Sequence, residues 1–369
     1  KRVLEIRQEL SKTSIKKYVA MREVKGKDER VRGLLQFYGA NRTGRWAGRL
    51  IQVQNLPRNY IDTLDYAREL IKDVKIEHLK VIYGNISDTL SQVIRTAFIP
   101  STNNKFIVAD FSAIEARVIA WLAEEQWRLE VFKTHGKIYE ASASQMFGVP
   151  IDKITKGNDE YALRQKGKVA ELALGYQGSS GALKAMGALD MGLSEDELPD
   201  IVGRWRAANK RIVDLWYKVQ NAAVRVMETG QQQAVKNIIF SREGDLANNQ
   251  DFLTIKLPSG RKLFYVNPGT RENSWGATVI TYKSVNQTTR KWECTDTYGG
   301  KLVENIVQAI ARDCLAESIL KVHNAGHNIV MSIHDEIVID SPKNVTVDEI
   351  CDIMGEPISW AQGLILRAD

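Results

Sequence analysis

Two apolar runs of strand length each carry a carboxylate where burial would be costly. Phe106-Ile107-Val108-Ala109 ends in Asp110, and His334-Asp335-Glu336 stands between Ile329–Ile333 and Ile337–Ile339. An acid in such a place needs a partner or a cation, unless it simply opens a turn. Ile114, Val118, Ile119 and Leu122 follow the first run at helical spacing, which predicts strand, short turn, helix. The second pattern predicts a hairpin with acids at its tip. Taken singly, each Asp is better explained as the start of a turn. On neighbouring strands, the pair would hold two Mg²⁺ ions roughly 3.5–4 Å apart, the arrangement that stabilises attacking and leaving oxygens in a phosphoryl displacement.

The rest of the chain sets limits on that chemistry. Its 369 residues are enough for two or three domains, and 44% hydrophobic with 26% charged residues is ordinary globular composition. No apolar run reaches the roughly 18 residues of a membrane span, and no signal-peptide pattern opens the sequence. Cys294, Cys314 and Cys351 form no Cys-x-x-Cys pair, which suits a reducing compartment. The net charge is +6, yet residues 1–60 hold 15 Lys and Arg against 5 Asp and Glu. A basic segment of this kind suits a phosphate-rich partner, although a solvated surface fits it equally well. Within it, Gly33, Gly39, Gly44, Gly48 and Pro57 alternate with Arg32, Arg42, Arg45, Arg49 and Arg58, beside Phe37, Tyr38 and Trp46. Close backbone approach and guanidinium forks together favour ligand contact there.

Helical patterns are predicted for residues 1–30, 60–74, 138–147, 160–175, 195–228 and 302–322. Residues 231–298 read as strand-rich, with strands at 238–240, 252–257, 262–266 and 279–282, and Pro258-Ser259-Gly260 as a hairpin turn. The tryptophans, among them Trp205, Trp216, Trp275 and Trp292, are expected to be packing residues. On the 160–176 helix, Arg164, Lys168, Leu172 and Tyr176 recur every fourth residue along one face. An arginine and a lysine one turn apart can grip a triphosphate, and a tyrosine beside glycines can stack on a base. The commoner use of such spacing is a solvated basic face. His323 and His327 lack the acid of a zinc-protease pattern, and neither a P-loop nor a Gly-x-Ser-x-Gly elbow occurs.

Together these segments resemble the family A DNA polymerases. Asp110-Phe-Ser-Ala-Ile-Glu115-Ala-Arg117 is similar to that family's first motif, and Arg164-x-x-x-Lys168 with Tyr176 to its second. His334-Asp335-Glu336 is similar to the third. Thr43-Gly44-Arg45 followed by Gln54-Asn55-Leu56-Pro57, and Gln308 with Asp313, complete the likeness in the family's order. The resemblance covers about residues 31–340. It implies an α/β (α+β) right-hand polymerase fold with an antiparallel palm sheet and largely helical fingers. Residues 1–30 would be a thumb base, 31–119 and 300–369 palm, and 120–299 fingers with a strand-rich insertion at about 231–298.

The resemblance also implies template-directed DNA synthesis in DNA replication, with primer–template DNA and deoxynucleoside triphosphates as partners and two Mg²⁺ ions, replaceable by Mn²⁺, as cofactors. Asp110 and Asp335 would ligate the metals with help from the Phe111 carbonyl, and Glu336 would be an acid of lesser weight. Arg164 and Lys168 would hold the triphosphate, with Lys168 as proton donor to the leaving pyrophosphate. Leu172, Glu115, Tyr176 and His334 would line the nucleotide site, with Glu115 blocking a 2′-hydroxyl. Arg45, Arg49, Gln54, Asn55, Arg117 and Gln308 would contact DNA. Four positions depart from the family pattern: Leu172 replaces an aromatic residue, Gln177 a glycine, Glu304 an asparagine and, conservatively, Phe111 a tyrosine.

A monomer in the cytoplasm of a bacterial host, encoded by a phage or prophage, is expected. So is a longer parent protein holding the exonuclease and thumb portions. The sequence leaves two other readings open. One is a non-catalytic nucleic-acid-binding fragment, against which the retained acids argue. The other is a single-subunit RNA polymerase-like enzyme, against which Glu115 and the hairpin tip argue.

Overall fold

The two acid-bearing runs pair with each other. In the computed structural model, Asn104–Asp110 and Glu336–Pro342 are antiparallel neighbours, in register from Glu336 opposite Asp110 to Pro342 opposite Asn104. Ile329–Ile333 flanks the other side of Glu336–Pro342, completing a three-stranded sheet. The structure describes residues 3, 4, 7, 13–245, 250–274, 276–286 and 288–369. The chain divides into two compact units: Lys1–Asp110 with Ile319–Ile350, and Phe111–Ser318 with Cys351–Asp369.

In the first unit the central strand of that sheet is buried from Ile337 to Ser341, as a strand covered on both faces should be. The outer strand alternates near its end, with Ile107 and Ala109 buried and Val108 and Asp110 exposed. Asp340 anchors the outer strand's start: its buried carboxylate accepts hydrogen bonds from the Ser101 amide and hydroxyl and from Asn104 Nδ2. Burial alone would raise its pKa, but these donors outweigh burial and hold it below the usual range. Met331 and Ile333 pack on a core of Ile51, Val53, Leu56 and Ile94, which also receives Tyr18, Met21 and Val24 from the Thr13–Val24 helix.

The helix predicted across residues 1–30 is thus shorter. It ends at Val24, and Gly26 and Arg30 close a turn; most of residues 1–12 lie outside the described residues. Three short helices, Leu64–Lys72, Ile76–Tyr83 and Ile86–Val93, share a core of Ala67, Leu70, Leu79 and Val93. The second and third of these were not predicted.

In the second unit, helices Ile114–Ala123, Gln126–Lys133, Ile138–Phe147, Ala162–Leu174, Leu198–Ala208 and Lys210–Thr229 precede a six-stranded antiparallel meander. The predicted 195–228 helix is broken at Asn209, where φ is −120° and ψ 47°. Its fully buried side chain accepts from Arg128 Nε at 2.6 Å and donates to the Trp205 carbonyl at 2.8 Å. The same Arg128 donates through Nη2 to Glu171 at 2.5 Å, and that carboxylate oxygen also accepts from Ser142 Oγ and Trp205 Nε1.

The meander runs Gln233–Val235, Ile238–Glu243, Phe252–Lys256, Lys262–Glu272, Thr278–Val285 and Trp292–Thr297. Its first and last strands were not predicted. Pro258-Ser259-Gly260 makes the expected turn, and Ser259 and Arg261 both bond to the buried Asp313. Trp205 and Trp216 are buried and stacked, as expected. Trp292 is not a packing residue: it starts an edge strand and is 58% exposed. Trp275 lies outside the described residues.

Candidate active site

The carboxylates gather at one end of the three-stranded sheet in the first unit. Asp110 is the last residue of its strand, and Glu336, the first of the next, is its direct partner. Ile333 pairs with Glu336, so His334 and Asp335 form a two-residue hairpin turn. His334 takes φ 54°, the left-handed value such tight turns require. Burial, and then the charge of Asp110, hold the Glu336 carboxyl above its usual range, against the opposing pull of Arg95 and His334.

The basic loop reaches this hairpin. Gly44 adopts φ 74°, open to glycine without steric cost, and next to it Arg45 Nη2 lies 3.8 Å from Asp335 Oδ1. His334 Nε2 is 3.2 Å from the Gln54 carbonyl, while Gln54 Nε2 donates to the Trp46 carbonyl at 3.1 Å. Arg95 fixes the same segment by donating to the Leu56 and Pro57 carbonyls, both at 3.1 Å. Sequence reasoning missed Arg95, because nothing local distinguishes it from a surface cation. Asn55 and Arg49 are exposed on the segment and the loop respectively.

The second unit carries the cationic helix face. On Ala162–Leu174, Gly167, Val169, Ala170, Ala173 and Leu174 are buried, leaving Arg164 and Lys168 half-buried and Leu172 exposed. Tyr176, just past the helix, donates its hydroxyl to Glu115 Oε2 at 2.8 Å. Arg164 Nε donates to Glu140 Oε1 at 2.7 Å, and its guanidinium lies 5.5 Å from the centre of the Tyr139 ring. Glu140 raises the guanidinium pKa further. Gln308 is half-buried on the Gly299–Asn324 helix, and Phe111 is buried and bridged to Ala368.

Arg117 does not fit its expected place on DNA. It is 2% exposed, stacked 4.6 Å from the Phe132 ring, and it donates to the Ser112 and Ile365 carbonyls. Burial draws its pKa down to about 10, still charged at neutral pH. Its guanidinium holds the start of its own helix through the Ser112 carbonyl, so the DNA contact that the resemblance implied for it gives way to internal bonds.

Among the described residues no group of three or more His, Cys, Asp or Glu side chains could hold a metal by itself. The like charges of Asp110 and Glu336, adjacent to Asp335, nevertheless favour a cation. Strand-end carboxylates suit an ion such as Mg²⁺, which takes one or two protein carboxylates and completes its shell with water and phosphate oxygens. No helix among the described residues is long and apolar enough to cross a membrane.

Comparison with known proteins gives this geometry a family. Residues 1–250 match the model of DNA polymerase family A. The chain belongs to that family. The DNA polymerase of Bacillus phage SP02 is 56% identical over 371 residues, spanning all of this chain and 56% of the phage protein. DNA polymerase I of Caldicellulosiruptor bescii is 20% identical over 277 residues, covering 73% of this chain and 26% of that protein. The chain thus spans little more than half the length of the first relative and about a quarter of the second.

Among solved structures, the polymerase domain of Pol1 from M. smegmatis, in complex with DNA primer–template and dNTP, superposes with a TM-score of 0.60. The likeness covers 97% of this chain and 50% of that one, at 18% identity. The helix-rich α+β architecture with antiparallel sheets is therefore that of a family A polymerase domain. The family model stops at residue 250, before the acid-bearing hairpin, whereas the match to the phage relative spans the whole chain.

Proposed function

We propose that this chain carries out template-directed DNA synthesis, attaching deoxynucleoside triphosphates to a primer 3′-hydroxyl. One observation carries the reading: a family A chain pairs Asp110 with Glu336 at a sheet end where Asp335 forms the adjoining turn. A chain that only bound nucleic acid would have no use for like-charged carboxylates held together at a cost in repulsion.

In this reading Asp110 and Asp335 hold divalent cations, with the Phe111 carbonyl assisting. The bound metal supplies charge stabilisation for the attacking and leaving oxygens. Arg45 steadies Asp335 and meets the primer–template with Gln54, Asn55, Arg49 and Gln308, while His334 lines the nucleotide site. Arg164 and Lys168 grip the incoming triphosphate, and Lys168 protonates the leaving pyrophosphate. Glu115, held by Tyr176, excludes a ribose 2′-hydroxyl, while Leu172 offers an aliphatic surface beside the sugar. Residues 31–119 and 300–369 act as palm and 120–299 as fingers, the chain working as a monomer. The protein's own contribution is positioning and electrostatics.

Primer extension with Mg²⁺ and four deoxynucleotides, run beside Asp335→Asn, tests this. Extension lost in the variant is the expected result; equal extension by both would remove Asp335 from the mechanism.

A further inference from the structure

Arg164 is held from one side only. Its Nε donates to Glu140 at 2.7 Å, the Tyr139 ring lies beside the guanidinium, and among the described residues neither Nη makes a hydrogen bond. The pair is neither buried nor fully solvated, with the Arg164 side chain 32% and the Glu140 side chain 15% exposed.

The residue between Arg164 and Lys168 that brings the helices together is Gly167. A Cβ there would fall 2.2 Å from the Tyr139 carbonyl oxygen, so only glycine lets the Ala162–Leu174 and Ile138–Phe147 helices approach this closely. Glu140 is thereby carried under Arg164 by backbone contact rather than by chance of rotamer.

A guanidinium engaged through Nε keeps its two terminal nitrogens in a fixed plane, the fork that recognises phosphate oxygens. An arginine left to wander would lose that side-chain freedom only on binding, and affinity would fall accordingly. From this we infer that Glu140 is a positioning residue for nucleotide binding, presetting Arg164 for a triphosphate and seated by Gly167. The inference deepens the proposed function and rests on it for the identity of the ligand. It makes Glu140 a helper of the Arg164–triphosphate contact, not a competitor that the triphosphate must displace.

The test uses the full chain with Glu140→Ala, Glu140→Gln, Arg164→Ala and the Glu140→Ala/Arg164→Ala double variant. The readouts are nucleotide KM, kcat and primer–template Kd. Glu140→Ala should raise KM about tenfold, the scale of one charge-assisted hydrogen bond, with kcat and primer–template Kd nearly unchanged. Glu140→Gln keeps an oxygen acceptor and should recover most of that loss. Glu140→Ala should add little on top of Arg164→Ala, because the two residues act through one contact.

An unchanged or lowered KM in Glu140→Ala overturns the inference, as does full additivity with Arg164→Ala. Equilibrium binding of a deoxynucleoside triphosphate reads the same ratios without turnover. Failure of the unaltered chain to extend a primer would therefore count against the proposed function alone, while the binding ratios still decide the role of Glu140.

Discussion

Replacing Glu171 by alanine should be among the most damaging single changes in the second unit. Arg128 is 1% exposed, and its charge is met inside the protein by one carboxylate oxygen of Glu171 at 2.5 Å. That oxygen also accepts from Ser142 Oγ at 2.8 Å and Trp205 Nε1 at 2.9 Å, so one side chain ties together three neighbouring helices besides its own. Removing it leaves a buried guanidinium uncompensated and two further donors unsatisfied. Breaking a buried pair from one side costs about 3–5 kcal/mol. The cost belongs to the orphaned charge more than to the lost attraction. A double replacement by apolar residues of similar volume, Arg128→Met with Glu171→Leu, should therefore recover at least half of the loss.

Urea unfolding followed by tryptophan fluorescence is the assay. Seven of the eight tryptophans belong to the second unit, so the signal reports mainly on it. The reasoning is refuted if Glu171→Ala costs under about 1 kcal/mol, the range of an exposed pair. It is equally refuted if the double variant is as unstable as the sum of the singles.

Other outcomes follow from the same structure. Arg117→Ala should lower stability by about 2–4 kcal/mol through two orphaned carbonyls and a cavity, while primer–template affinity stays unchanged; a selective loss of DNA affinity would return Arg117 to the interface. Asp340→Asn should destabilise the chain at neutral pH by about 1–3 kcal/mol. Because the folded pKa of Asp340 lies below its ordinary value of 3.8, its contribution is present above that value and fades as pH falls beneath it. The two melting curves should therefore converge in acid, and a gap that persists or widens there would contradict the assignment. Tyr176→Phe removes the hydroxyl that bonds Glu115 and should relax selection against ribonucleotides, to a lesser degree than Glu115→Ala; unchanged sugar selectivity in both variants would refute the gate.

Much of the candidate site's layout is legible along the chain. Asp110 closes an apolar run of strand length and Asp335 is flanked by two more, which puts one acid at a strand end and the other at a hairpin tip. The 138–147 helix also follows from local spacing. What could not be read depends on partners distant in sequence. Asn209 breaks a helix because its side chain bonds to Arg128, 81 residues away. Arg117 has the residue type of a DNA contact, and only the Ile365 carbonyl, 248 residues away, and the Phe132 ring show it to be internal. The short strands Gln233–Val235 and Trp292–Thr297 exist through their neighbours and have little apolar signal of their own. Glu140 is one acid on that predicted helix, with nothing local to mark it, until Gly167 brings it under Arg164.

Single-nucleotide insertion is the most direct test of the central claim. The full chain is given Mg²⁺ and one deoxynucleotide at a time, opposite each of the four template bases. The complementary nucleotide should be inserted in each case, and Asp110→Asn or Asp335→Asn should abolish insertion. Insertion that ignores the template base, or that survives loss of either acid, would contradict that claim.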